Sequence, residues 1–287
     1  MLTVILLFFF LKTLSLNRML KRRSFLTSTC LLAFPAIALA DSALNQAVAG
    51  TSRSPSNVAR DRYRHPVAIL EFFGLNNHLS VLEVEPGAGY WTEILAPYLK
   101  THGAYRVAIP PVPATATRDH AVIDAYLQSL NSRAATYGDV IVVPFTDSIP
   151  LAPPNSIDLV LSFRNLHDWM ANGTATTKLD AIYAALKRGG VFGIEDHRGL
   201  LSQPQDPHVK SGYVREDYAI ALIQKSGFNL AGVSQIGDNP RDTKNYPKGV
   251  WTLPPILALG EVDRAKYLAI GESDRWTLKF IKPSGDS

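Results

Sequence analysis

The chain has 287 residues, 46% of them hydrophobic and 19% charged, which suits one large folded domain or two small ones and excludes a disordered or fibrous chain. Five of the 29 basic residues and none of the 25 acidic ones fall in residues 1–40, so the remainder carries 24 basic against 25 acidic groups. That near-neutral body gives no electrostatic case for nucleic acid, and the single cysteine, Cys30, lies in the same leading stretch, which removes disulfides and thiolate chemistry from the rest.

From Met19 onward the chain shows a basic region, the apolar run Phe25 to Leu39, and Ala38-Leu39-Ala40 ahead of Asp41. This is the layout of a cleavable secretory signal, and Arg22-Arg23-Ser24-Phe25-Leu26 fits its twin-arginine form. Residues 1–40 therefore read as a leader, cut after Ala40, that sends the protein to the periplasm or outside the cell with no stable membrane anchor. Leu2 to Leu11 is too short to span a bilayer, and Met19 is a second candidate start. Residues 41–57, rich in Ser, Ala, Asn and Gly, read as a linker to a domain over 58–287.

Val58 to Leu75 begins with Asp61, Arg62, Arg64 and His65 and continues with Val67, Leu70 and Phe73 spaced by threes, a helical region in which Pro66 starts a second helix. The stretch Leu79 to Leu99 then organises the domain. Val81, Leu82 and Val84 form a buried strand, and Trp91, Ile94, Leu95, Tyr98 and Leu99 recur on one helical face. Pro97 conflicts with that helix and should kink or shorten it. Between the two patterns lie Gly87 and Gly89, where a missing Cβ permits positive φ and lets a ligand lie against the main chain at the helix start. A dinucleotide fingerprint would need a third glycine where Thr92 stands, and no Gly-Lys-Ser/Thr follows for a phosphate loop.

Further strands are expected over Ala104 to Ile109, Val140 to Phe145, Ile157 to Phe163, Val191 to Asp196, Phe228 to Ile236 and Trp276 to Ile281. Helices are expected over Arg118 to Tyr137, Thr176 to Lys187 with Gly189-Gly190 closing it, and Tyr213 to Ser226. The alternation predicts an α/β, doubly wound (Rossmann-like), mostly parallel sheet with helices on both faces. Residues 237–272 interrupt the last hairpin, too long for an ordinary loop and with prolines that deny it a long regular element.

The sequence acid-x-x-Pro-Gly-x-Gly at Glu83 to Gly89 resembles the class I S-adenosylmethionine-dependent methyltransferases. It is more closely similar to a group of predicted exported methyltransferases with a Glu-x-x-Pro-Gly-x-Gly-Tyr/Trp-Tyr/Trp-Thr loop. Asn165-Leu166-His167-Asp168-Trp169, Leu186 to Gly193 and Gly271-Glu272-Ser273-Asp274-Arg275 strengthen the match, which covers nearly all of the chain after about residue 55. The resemblance implies seven strands in the order 3-2-1-4-5-7-6 with the last antiparallel, and S-adenosyl-L-methionine as cofactor. It places Glu83 under the methionine part, with Glu85, Pro86, Gly87, Ala88 and Gly89 as the loop, Asp147 near the adenine amino group, and Asn165 also at the cofactor. Glu85 replaces the family's usual first glycine and should crowd the loop. No carboxylate follows the second strand, where Ala108-Ile109-Pro110-Pro111 stands instead of the acid that holds the ribose.

Ligands of open α/β sheets bind outside the carboxyl ends of the strands. The fourth and fifth strands end in Arg164-Asn165-Leu166-His167-Asp168 and Glu195-Asp196-His197-Arg198, so His167, Asp168, Asp196 and His197 are candidates for one catalytic pocket, with imidazole as proton acceptor and carboxylate as its orienting partner. Tyr90, Trp91 and Trp169 offer aromatic faces to a sulfonium, although helical spacing favours core packing for Trp91. Arg64, Arg164 and Arg198 are candidates for an acidic group on a substrate, or simple ion pairs. No spaced metal-ligand pattern assigns a metal. Two functions follow: transfer of a methyl group to a small molecule outside the cytoplasm, or a non-catalytic methyltransferase-like protein that binds another ligand or a partner.

Overall fold

A computed structural model describes residues 41–285 apart from Ala114 and Asp147; the expected leader, Cys30 and the adenine-side candidate Asp147 lie outside the described residues. Residues 41–57 are not a bare linker. They carry α1 (Ser42–Val48), whose N-terminus is capped by Asp41 Oδ1 accepting from the N–H groups of Ala43 and Leu44 at 2.9 and 3.0 Å. Leu44 is fully buried, and Arg53 of the same segment holds Asp61 through two bonds of 2.6 and 2.8 Å. The composition suggested a linker, but Ala43, Leu44, Ala47 and Val48 form an apolar helical face that packs into one of the two cores.

Three short helices follow: α2 (Pro55–Val58), α3 (Asp61–Arg64) and α4 (Pro66–Phe73), the last starting at Pro66 as expected, because its missing N–H costs nothing at a first helical position. Strand β1 (Ser80–Val84) leads through the glycine loop into α5 (Thr92–Leu99), in which Pro97 falls in the last turn. After β2 (Ala104–Ile109) come α6 (Thr117–Ser132) and α7 (Ala134–Tyr137), then β3 (Val140–Pro144) and β4 (Ile157–Phe163). The chain continues through α8 (Leu166–Ala171), α9 (Ala175–Ala185), β5 (Leu186–His197), α10 (Glu216–Lys225) and β6 (Asn229–Ser234). It ends with α11 (Arg264–Ile270) and β7 (Arg275–Ile281).

These strands form one seven-stranded sheet in the order β3-β2-β1-β4-β5-β7-β6, with β7 antiparallel to both of its neighbours and the pairs from β3 to β5 parallel. The order is the expected one. Period-two alternation divides β1 and β4 between two cores: Val81, Leu159 and Leu161 face one layer of helices, and Leu82, Val84 and Val160 face the other. Each of these fully buried aliphatic side chains contributes roughly 1.5–3 kcal/mol.

One boundary differs from expectation. Helix α9 stops at Ala185, and the Gly189-Gly190 pair belongs to the sheet: Gly189 N–H donates to Lys282 O at 2.8 Å and Lys282 N–H to Gly190 O at 3.0 Å. Pairing with the far end of the chain overrides the helix-stop reading. The segment 237–272 holds only a 3₁₀ turn (Gly249–Thr252) and α11, in keeping with its prolines, yet Thr252, Leu253 and Asp242 within it are buried. Among the described residues no helix is long and apolar enough to cross a membrane.

Candidate functional site

The loop after β1 is built by backbone geometry. Glu85 N–H donates to Ala108 O at 2.8 Å and Gly89 N–H to Pro86 O at 3.1 Å, turning the chain sharply into α5. Gly87 has φ +58°, and a Cβ placed on it meets nothing within 4 Å, so open space rather than protein lies against this glycine. Glu85, in the place of the family's first glycine, takes φ +52°, a conformation that strains a residue with a Cβ. Glu85 borders both hollows beside the loop, where its carboxylate accepts from Trp169 Nε1 at 2.9 Å and pairs with Lys178.

Two hollows flank the loop. The first is a cavity of about 220 Å³ bounded by Pro86, Gly87, Ala88, Glu83 and Asn165, with Arg60, Arg64 and Arg164 in its walls. The second is a groove of about 850 Å³ bounded by Pro110, Pro111, Phe145, Trp169, Asp168 and Lys178, with Glu85 shared between the two. Lys178 Nζ sits 4.1 Å from the centre of the Phe145 ring, and Phe145 meets Trp169 edge-on at 6.0 Å. The prolines after β2 form part of this second wall, and its carboxylates, Glu85 and Asp168, come from other elements.

Glu83 forms the floor of the cavity. Burial pushes its pKa up to about 7, against hydrogen bonds from Tyr105 and from Thr92 (3.3 Å) and the charge of Arg64. Asn165 ties β4 to β1 by donating from Nδ2 to Val84 O at 3.0 Å, and it also reaches Ser162 Oγ at 3.2 Å. Trp91 is core, as its spacing predicts, stacked on Phe163 at 4.0 Å; its Nε1 is buried without a partner.

The structure brings His167, Asp196 and His197 together, all buried, with ligand-type atoms within 4.8 Å of one another. Asp196 Oδ1 is 2.8 Å from His167 Nδ1, and its carboxylate also accepts the backbone N–H groups of His167 (2.9 Å) and His197 (2.7 Å). His197 Nδ1 lies 2.6 Å from Ser273 Oγ. Burial works against a charge on His167, and the Asp196 carboxylate outweighs it, so its pKa is raised. Burial, then the charges of His167 and Arg164, hold His197 well below the usual histidine range. Asp168 Oδ2, 3.5 Å from His167 Nε2, is the member of this group that borders the groove.

Of the three arginines singled out from sequence, Arg164 lines the cavity and the other two are ion-paired. Arg198 is an ion-pair centre for Glu216 and for Asp238 (2.5 Å). Arg64 is fully enclosed and bonds Glu272 through Nε at 3.2 Å, with Arg60 on the other oxygen at 2.6 Å. Four charged guanidinium groups hold the Glu272 carboxyl down to about 2 despite its burial. Sequence reading did not assign Glu272 a role, although it lies in the quoted stretch Gly271 to Arg275. It also missed Arg60 and Lys178, whose partners are 212 and 93 residues away.

No protein-family model matches the chain, and no curated protein matches it. Solved structures do share its fold. A SAM-dependent methyltransferase from Aquifex aeolicus aligns with a TM-score of 0.52 at 16% identity, covering 80% of this chain and 94% of its own. The [4+2]-cyclase SpnF aligns at 0.51 and 15% identity over 84% and 93%. Phosphoethanolamine N-methyltransferase 2 of Haemonchus contortus, solved with phosphomonomethylethanolamine and S-adenosylhomocysteine, aligns at 0.50 and 17% identity over 77% and 53%. The fold is thus the Rossmann-like one of these methyltransferases, and the presence of a cyclase among them means that the fold by itself does not name the reaction.

Proposed function

We propose that the protein is an S-adenosylmethionine-dependent methyltransferase that acts on a small molecule outside the cytoplasm. The observation that carries this reading is the open space against Gly87 between a buried carboxylate, Glu83, and Asn165. The residues present fit the cofactor: the cavity suits its methionine part and the Phe145–Trp169 groove its adenosine, with Glu85 at the junction of the two. Bound there, the cofactor would supply an electrophilic methyl group on its sulfonium to the lone pair of an acceptor.

Such a displacement needs alignment more than chemistry from the protein. Asn165 holds the end of β4 against β1 and fixes one wall. The Asp196–His167–Asp168 chain ends at the groove, so a proton leaving the acceptor would pass to Asp168, whose neighbour His167 is biased toward the charged form by Asp196. The leader-like residues 1–40 support action outside the cytoplasm, and mass spectrometry of the exported protein should find an N-terminus at Asp41.

Calorimetric titration of the protein with S-adenosylmethionine and S-adenosylhomocysteine tests the central claim. We expect micromolar binding, abolished by Gly87→Trp, which fills the hollow at a positive φ. Absence of heat from a well-folded sample would overturn it. The missing carboxylate after β2 favours the second reading, a ligand-binding protein without catalysis, and tight S-adenosylhomocysteine binding with no methyl transfer to any acceptor would establish that instead.

A further inference from the structure

The cavity and the groove meet at a single side chain: among the described residues that line the two hollows, Glu85 is the one they share. It follows directly on β1 and takes φ +52°, held by its N–H donating to Ala108 O at 2.8 Å. Glycine would adopt this conformation without strain. A strained side chain kept where two hollows join points to a use for that side chain.

Its carboxylate is fixed in direction and only half engaged. Trp169 Nε1 donates to Oε2 at 2.9 Å and Lys178 Nζ donates to Oε1, so each oxygen has taken one bond and can accept another. The side chain keeps 15% of its exposure at the border of both hollows, so a ligand can reach it. Asp168, the other carboxylate among the described groove residues, does not border the cavity. Pro110 and Pro111 in the groove wall have no N–H and no side-chain acceptor to offer.

Covalent connectivity decides which part of the cofactor meets Glu85. In S-adenosylmethionine the ribose joins the sulfonium to the adenine, so a molecule with its methionine part in the cavity and its base in the groove lays its ribose at the junction. That ribose presents two adjacent hydroxyls, O2′ and O3′, which need acceptors. We propose that Glu85 holds this diol, each carboxylate oxygen accepting one hydroxyl, so that the end of β1 supplies the acid that the chain lacks after β2. The assignment rests on the methyl-transfer reading. It makes Glu85 a specificity-determining residue, because hydrogen bonds to a carboxylate are strong and a site built to pair with a hydroxyl rejects the analogue that lacks it.

The test is calorimetric titration of the full chain with S-adenosylhomocysteine, adenosine and 2′-deoxyadenosine. The expected result is that S-adenosylhomocysteine binds and that adenosine binds about tenfold or more tightly than 2′-deoxyadenosine. Glu85→Gln should cut that preference to about threefold or less. Glu85→Gly, which also relieves the positive φ, should do the same and serves if the first variant does not fold. A side chain that only braced the loop would weaken both nucleosides equally, so an unchanged ratio in a folded variant would overturn the proposal. A wild-type protein that binds S-adenosylhomocysteine yet takes the two nucleosides alike would also overturn it, while leaving the methyl-transfer reading in place. Discrimination between the nucleosides without any binding of S-adenosylhomocysteine would instead sink the methyl-transfer reading and keep Glu85 as the diol acceptor for another ribonucleoside. If none of the three binds, both fall.

Discussion

Arg164 and His167 stand three residues apart where β4 ends, and their surroundings are opposite. The His167 ring and its N–H both engage Asp196, which in turn accepts from His197, whose ring meets Ser273. Arg164 has a buried Nε with no acceptor and faces a cavity. A buried polar group whose partners all come from the chain contributes to specifying the native structure, whereas one left without partners lowers stability. The same short segment therefore contains both a fastening and an opening.

The sharpest way to break this comparison is Asp196→Ala. It strands two backbone donors and one imidazole in the interior, and the expected loss is about 3–5 kcal/mol. In thermal unfolding that is a fall of about 10 °C for a domain of this size. A loss below about 1 kcal/mol would mean that the histidine cluster is not the closed unit described.

Next is the pH response of Glu83, the acid on the cavity floor. The unfolded chain gives up this proton near pH 4.5 and the folded chain only near 7, so between those values the native state binds more protons. Stability from this group is therefore greatest below pH 4.5 and falls as pH rises to 7, by at most about 3 kcal/mol. Glu83→Gln should remove that slope, as read from urea midpoints at pH 5 and pH 8; parallel curves for the two proteins would refute the assignment. Arg164→Gln should have the smallest effect on stability, neutral or up to about 1 kcal/mol stabilising, because it deletes an unpaired charge. A clear destabilisation in urea would show that Arg164 is fastened after all.

The strands and helices were legible because their signals are local, while the strand order came from the family resemblance. Alternation in Val81 to Val84, the Pro-Gly-x-Gly turn and the helical spacing after Trp91 each lie within a few residues. The His167–Asp196 meeting also followed from adjacent strand ends. What could not be read was pairing across long separations, Arg60 to Glu272 and Lys178 to Glu85, and the return of Arg53 onto Asp61, eight residues on, from a stretch whose composition suggested a linker. Two of these were partly signalled. Asp41 ahead of an apolar 43-44-47-48 pattern is a capped helix, and the Gly271 to Arg275 stretch was already conspicuous, although no spacing rule says which arginine it meets. Glu85 shows a different limit, since the sequence revealed the missing glycine but not that the side chain would find Trp169 and Lys178 to turn toward.

The bonds from Arg60 and Arg64 to Glu272 join the beginning of the domain to the segment just before its final strand. A growing polypeptide can form β1, its turn and α5 early, yet the arginine wall lacks its counter-ion until residue 272 has been synthesised and β7 has inserted between β5 and β6. The arginine cluster is thus completed late in the life of each molecule, and a fragment that ends before the last hairpin should hold those guanidinium groups without their shared carboxylate.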